Sequence, residues 1–127
     1  MMNTIVAIAM GGALGAVFRH GVNVGAFKLF GDGFPWGTLG VNVIGSFIMG
    51  VLIAVFAQYW QPSHGVKLFL ITGFLGAFTT FSTFSLDVSA LWERGALGAT
   101  ALYVMGSVVL SVGALFLGLM IVRSLAS

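Results

Sequence analysis

The sequence predicts an all-α membrane protein of four transmembrane helices per subunit, the third broken mid-membrane, assembled as an antiparallel homodimer. Three observations carry the first part of that reading. Of 127 residues, 59% are hydrophobic and 6% charged, against about 25% charged in an ordinary soluble domain. A helix needs about 20 apolar residues to cross the hydrocarbon core, so this length holds four crossings and no soluble domain besides. Glycine, proline and polar residues gather where the apolar runs stop, as turns require.

Span one covers residues 4–27 and is interrupted by Arg19 and His20. Its apolar start differs from a signal peptide: it lacks a basic leading region and a clear cleavage site, and further spans follow. Residues 28–35 hold Gly31, Asp32, Gly33 and Pro35 and read as a loop. Span two covers 36–59. Gln61, Pro62, Ser63, His64 and Gly65 form the next turn, span three covers 68–92, and span four 95–121. Trp36, Tyr59, Trp60 and Trp92 fall near span ends, where amphipathic rings favour the interface. All 127 residues belong to one integral membrane domain.

Four spans place the second loop on the side of both termini. That side carries Lys67 and Arg123; the opposite side carries Lys28 and Arg94. Two against two gives no positive-inside bias. Either the bias is weak by chance in a short chain, or copies insert both ways and pair antiparallel. Nineteen glycines bear on assembly. Gly11 with Gly15, Gly21 with Gly25, and Ser46 with Gly50 have the spacing that lets helices approach closely. Four spans enclose little interior, which also favours an oligomer.

Several function classes are excluded early. Without cysteine there is no disulfide framework or thiolate metal site. Five basic residues against three acidic ones, without a cluster, do not suggest nucleic acid. His20 and His64 make no metal pattern, and no Ser–His–Asp or paired-carboxylate arrangement suggests an enzyme.

The polar residues inside the spans are the candidates for function. Thr38, Asn42 and Ser46 share one face of span two, and Tyr103, Ser107 and Ser111 one face of span four. Hydrogen bonding between helices explains such stripes, at on the order of 0.6 kcal/mol each. Two parallel stripes also suit a hydrated track. In span three, Gly73, Gly76 and the run Thr79-Thr80-Phe81-Ser82-Thr83-Phe84-Ser85 predict a helix break at residues 77–80. Freed carbonyls there would suit a hard cation and freed amides an anion. The competing account is an unbroken helix whose hydroxyls bond back to the preceding turn. Phe81 and Phe84 lie near one another on one face, and their electropositive edges could hold a small anion. On physical grounds alone, packing against lipid or core is the simpler account. Arg19 either faces an aqueous vestibule, raising local anion concentration, or snorkels to the interface.

These residues resemble, over essentially the full length, the small bacterial fluoride channels of the Fluc (CrcB) family. The resemblance rests on Gly11-Gly12-Ala13-Leu14-Gly15-Ala16 followed by Arg19, on Gly37-Thr38-Leu39, Val41-Asn42 and Gly45-Ser46-Phe47, and on Gly73-Phe74, Gly76 and Phe78 to Ser85. It implies antiparallel dual-topology homodimers in the bacterial inner membrane, with two pores built by both subunits. It implies a sodium ion at the dimer centre on the carbonyls of Gly76 and Thr79 of each subunit. By motif position Phe81 and Phe84 match the aromatic pair on the fluoride path, Asn42 the pore asparagine, and Arg19 the vestibule arginine. Ser82, Thr83, Tyr103, Ser107 and Ser111 match polar track positions, and Thr38 lies on the same path. Asp87 stands where a glutamate is expected in many relatives, which leaves the role of that carboxylate open. The implied function is passive fluoride export driven by the membrane potential. A proton-coupled small exporter is the alternative, but it needs a deep carboxylate, and Asp87 is the sole candidate. A helper subunit without transport activity is the third reading.

Overall fold

A computed structural model describes residues 3–126. Four segments are long and apolar enough to cross a membrane: Thr4–Phe30, Trp36–Gln58, His64–Glu93 and Leu97–Ala126. No strand occurs among the described residues.

Helix α1 (Thr4–Phe30) starts where the Asn3 side chain accepts from the Ile5 amide at 2.8 Å, satisfying one of the free first-turn donors. The helix runs through Lys28, Leu29 and Phe30, beyond the expected end at residue 27. Nothing in that stretch breaks a helix, and a cation near the carboxyl end suits the helix dipole. Gly31 ends it with φ 75°, a backbone region that glycine enters without steric cost, and its amide donates to the Phe27 carbonyl at 2.8 Å. Helix α2 (Trp36–Gln58) follows directly after Pro35.

The third span is composite. A single α-turn, α3 (His64–Lys67), begins inside the turn predicted for residues 61–65, with Ser63 accepting from the Val66 amide. A π-helical stretch, Leu68–Leu75, follows, and then a short α-turn, α4 (Gly76–Phe78). The chain leaves helical conformation at Thr79 (φ −87°, ψ 161°) and resumes as α5 (Ser82–Glu93). The predicted break is therefore present, but it lies at residues 79–81 rather than 77–80. Ala77 and Phe78 stay helical because the turn closes one residue later: the amide and hydroxyl of Thr79 both donate to the Leu75 carbonyl, at 3.0 and 2.8 Å. Gly95, at φ 83°, turns the chain into α6 (Leu97–Ala126), which starts two residues later and ends five later than expected.

Glycine fixes two helix seams. A Cβ on Gly11 or Gly15 would run into the carbonyls of Phe69 or Phe74, and one on Gly73 into the Ile8 carbonyl. So α1 lies backbone to backbone on the π-helical segment. Gly50 and Gly118 form the other seam, facing Leu115 and Phe47 respectively, and bring α2 against α6. Ala54, Leu119 and Val122 are the buried core of that second pair. At Gly21 and Gly25 nothing lies within 4 Å of a Cβ, so they join no seam inside the subunit. Elsewhere the helices present large apolar side chains outward, including Leu102, Met105, Val109 and Met120 of α6. In a membrane those faces meet lipid or another subunit.

Candidate functional site

The two polar stripes meet at the chain break. Asn42 and Ser46 of α2, Ser107 and Ser111 of α6, Thr79 and Thr80 of the break, and the rings of Phe81 and Phe84 line one groove of about 280 Å³. The helical period places each stripe on one face, and the α2–α6 seam turns those faces toward the third span. A regular helix there would fill the space with side chains. The break instead brings its backbone to the groove.

The hydroxyls of α6 are the chemically distinctive part. Ser107 is 6% exposed, and the Oγ atoms of both Ser107 and Ser111 are buried without a hydrogen-bond partner. A buried hydroxyl left unpaired loses on the order of 1–3 kcal/mol. Two such groups on one groove form a site that needs a ligand or water to complete it. The Phe81 and Phe84 rings lie 5.6 Å apart between centroids, tilted by 40°. Phe84 is half-buried, whereas Phe81 is 78% exposed on the single subunit.

The break also frees backbone groups. The Thr80 amide donates to Asn42 Oδ1 at 2.8 Å, so it does not close a turn onto the Gly76 carbonyl. The Thr83 amide donates to Thr80 Oγ1 at 3.2 Å and leaves the Thr79 carbonyl free in the same way. Gly76 is exposed on the subunit surface. Carbonyl oxygens released at membrane depth are a donor set suited to a hard cation. No cluster of three His, Cys, Asp or Glu exists among the described residues to offer another kind of metal site.

Other expected residues lie elsewhere. Thr38 and Thr83 line a second cavity of about 350 Å³, together with Asp32, Asp87 and Arg94. It opens at the end of the bundle where Gly31 to Pro35 and Arg94 meet, and there Arg94 Nη2 donates to the Gly33 carbonyl at 2.8 Å. Tyr103 lines neither space. It is fully buried between them, its ring 5.1 Å from Phe84 and 5.4 Å from Phe34. Its hydroxyl donates to Asp87 Oδ2 at 3.0 Å. That contact gives Asp87, left open in the sequence, a partner 16 residues away. Removing the hydroxyl with Tyr103→Phe leaves a carboxylate unpaired in a half-buried place. Stability should fall by about 1–3 kcal/mol, read as a lower melting temperature in detergent, while Tyr59→Phe at an exposed helix end should leave it unchanged.

Ser82 is exposed at the start of α5, its Oγ 3.5 Å from that of Thr80, and Arg19 is half-buried on α1 and lines neither space. Thr80 falls in the break expected from the sequence, but its role in the site was not legible there. Its side chain caps α5 and its backbone pairs with Asn42. The hydroxyl-rich run around it was the available signal, but which hydroxyl caps depends on where the helix restarts.

Comparison with known proteins agrees over nearly the whole length. The family described as CrcB-like protein, Camphor Resistance (CrcB), matches residues 6–119. A fluoride-specific ion channel FluC of Rhodospirillum centenum is 54% identical over 97% of this chain and 98% of its own length. One from Agrobacterium fabrum is 51% identical over 98% of this chain and 99% of its own. Another from Nitrobacter winogradskyi is 51% identical over 94% of each. With the match spanning all four membrane-crossing segments and the break between α4 and α5, the chain belongs to the CrcB-like family.

Proposed function

We propose that this chain is a fluoride-selective channel subunit of the bacterial inner membrane, working as an antiparallel homodimer that lets fluoride leave the cytoplasm passively. The observation that carries this reading is the groove at the break. It combines two unpaired buried hydroxyls with two phenyl rings, and relatives about half identical over the full length are named for fluoride conduction.

The groove's chemistry suits a small anion. Ser107 and Ser111 supply O–H donors, Asn42 has an N–H left over from its bonds to Thr80, and phenyl edges carry partial positive charge. Without these groups, stripping water from fluoride would be prohibitive in a low-dielectric interior. Phe81 and Gly76 are exposed on a single subunit. A second, inverted copy would cover them, and would answer the even split of basic residues between the two sides. The carbonyls of Gly76 and Thr79 from each copy would hold a sodium ion between the subunits. When bound, that ion supplies positive charge at mid-membrane and ties the two breaks together. Fluoride efflux then runs down the potential, which contributes about 2.3 kcal/mol per charge per 100 mV. Arg19 would raise anion concentration near the entrance, and Thr38 and Thr83 would continue the polar path past Tyr103 toward the second cavity. No reaction is catalysed, since the step is passage of an ion.

A proton-coupled exporter is the runner-up. It would have to use Asp87, whose carboxylate is already engaged by Tyr103. Purified protein in liposomes separates the readings. The channel predicts fluoride efflux only when a potassium ionophore balances charge, with chloride efflux far slower. Electroneutral flux tied to protons would support the exporter, and silent protein would support a helper subunit.

A further inference from the structure

Asn42 uses both ends of its amide on one residue, 38 positions along the chain. Nδ2 donates to the Thr80 carbonyl at 3.0 Å, and Oδ1 accepts from the Thr80 amide at 2.8 Å. The peptide links on either side of Thr80 are trans. In a trans peptide the carbonyl and the amide of one plane point in opposite directions. Fixing the Thr80 N–H on Asn42 therefore turns the Thr79 carbonyl away from the groove wall of α2. Fixing the Thr80 carbonyl likewise turns the Phe81 N–H away. Three residues further along α2, Gly45 leaves room for the methyl group of Thr79, which a Cβ would strike. So α2 grips the break twice, by a polar pair at Thr80 and by a steric fit at Thr79.

We propose that Asn42 is a positioning residue for the break: its paired hydrogen bonds to Thr80 aim the Thr79 carbonyl, so the same side chain that lines the anion groove orients a cation ligand on the far side of the chain. One hydrogen on Nδ2 remains for the groove. The pair demands both a donor and an acceptor at this reach. Aspartate lacks the donor, and glutamine is longer by a methylene group. The cation half of the proposal rests on the sodium reading above; the clamp itself does not.

The test has two arms on purified dimer in nanodiscs, wild type against Asn42→Ala. Site-resolved hydrogen exchange at the Thr80 amide should speed up roughly fivefold or more, the loss of about one hydrogen bond, while amides of the α2–α6 core hold their rates. The sodium concentration giving half-maximal fluoride efflux should rise by a similar factor. Unchanged exchange at Thr80 alongside lost efflux would make Asn42 an anion ligand only and overturn the clamp. Faster exchange with an unchanged sodium requirement would overturn the aiming of Thr79. If wild-type efflux ignores sodium, the cation site fails, and Thr80 exchange alone still decides the clamp. Should Asn42→Ala not assemble, Asn42→Ser, which cannot make the pair, is measured in its place.

Discussion

Phe84→Ile should cut fluoride efflux by at least roughly tenfold while the dimer still forms, and Phe81→Ile should do likewise. Isoleucine keeps most of the apolar volume, so the subunit stays packed. What disappears is the aromatic ring lining the groove and the ring-to-ring contacts of Phe84 with Phe81 at 5.6 Å and Tyr103 at 5.1 Å. Aromatic contacts of this kind contribute about 0.5–1.5 kcal/mol beyond burial, and 1.4 kcal/mol corresponds to a tenfold change in rate. Each variant removes one ring, and a loss near the upper end of that range brings the expected effect to that scale. Phe116→Ile on α6 is the control, because its ring is exposed and lines neither cavity. Efflux is read in liposomes with a potassium ionophore. Normal efflux in both Phe81 and Phe84 variants would remove the rings from the conduction path.

Gly15→Val should abolish recovery of folded protein. The new side chain would enter the space of the Phe74 carbonyl and crowd the Phe78 amide. Overpacking usually costs about 1–3 kcal/mol when side chains can yield. Here the obstacle is backbone on both sides, so α1 and the third span must separate, and the loss should exceed that range. Gly98→Ala near the start of α6 meets nothing within 4 Å and should be neutral or slightly stabilising, since alanine is the better helix former by about 1 kcal/mol. The readout is a monodisperse peak on size exclusion in detergent. A normal peak for Gly15→Val would mean the α1 seam is looser than its geometry requires.

The contrast between Gly15 and Gly21 marks how far the residues could be read alone. Both sit in four-residue glycine pairs on α1, but one packs on backbone and the other on nothing in the subunit. Spacing tells which residues share a helix face; it does not tell what that face meets. The same limit governs the site. The stripe of Thr38, Asn42 and Ser46 was legible from period alone, yet Asn42 and Ser46 line the groove at the break while Thr38 lines the second cavity. A stripe of nine residues spans about 12 Å of helix, enough to pass from one compartment to the next. The π-helical stretch left no signal in the sequence, because an apolar run in a membrane span suits an α-helix as well as a π-helix.

By itself the sequence determined the solvent, the number of crossings and the neighbourhood of the break. Those follow from composition, run length and local helix propensity, all of which act over a few residues. The tertiary structure decided which carbonyls are freed, that Thr80 rather than a neighbour carries the cap and the clamp, and that Tyr103 joins Asp87. Each of those is a hydrogen bond whose partner is set by distance in space, and Asn42 reaches Thr80 only because α2 and the third span lie side by side at that depth.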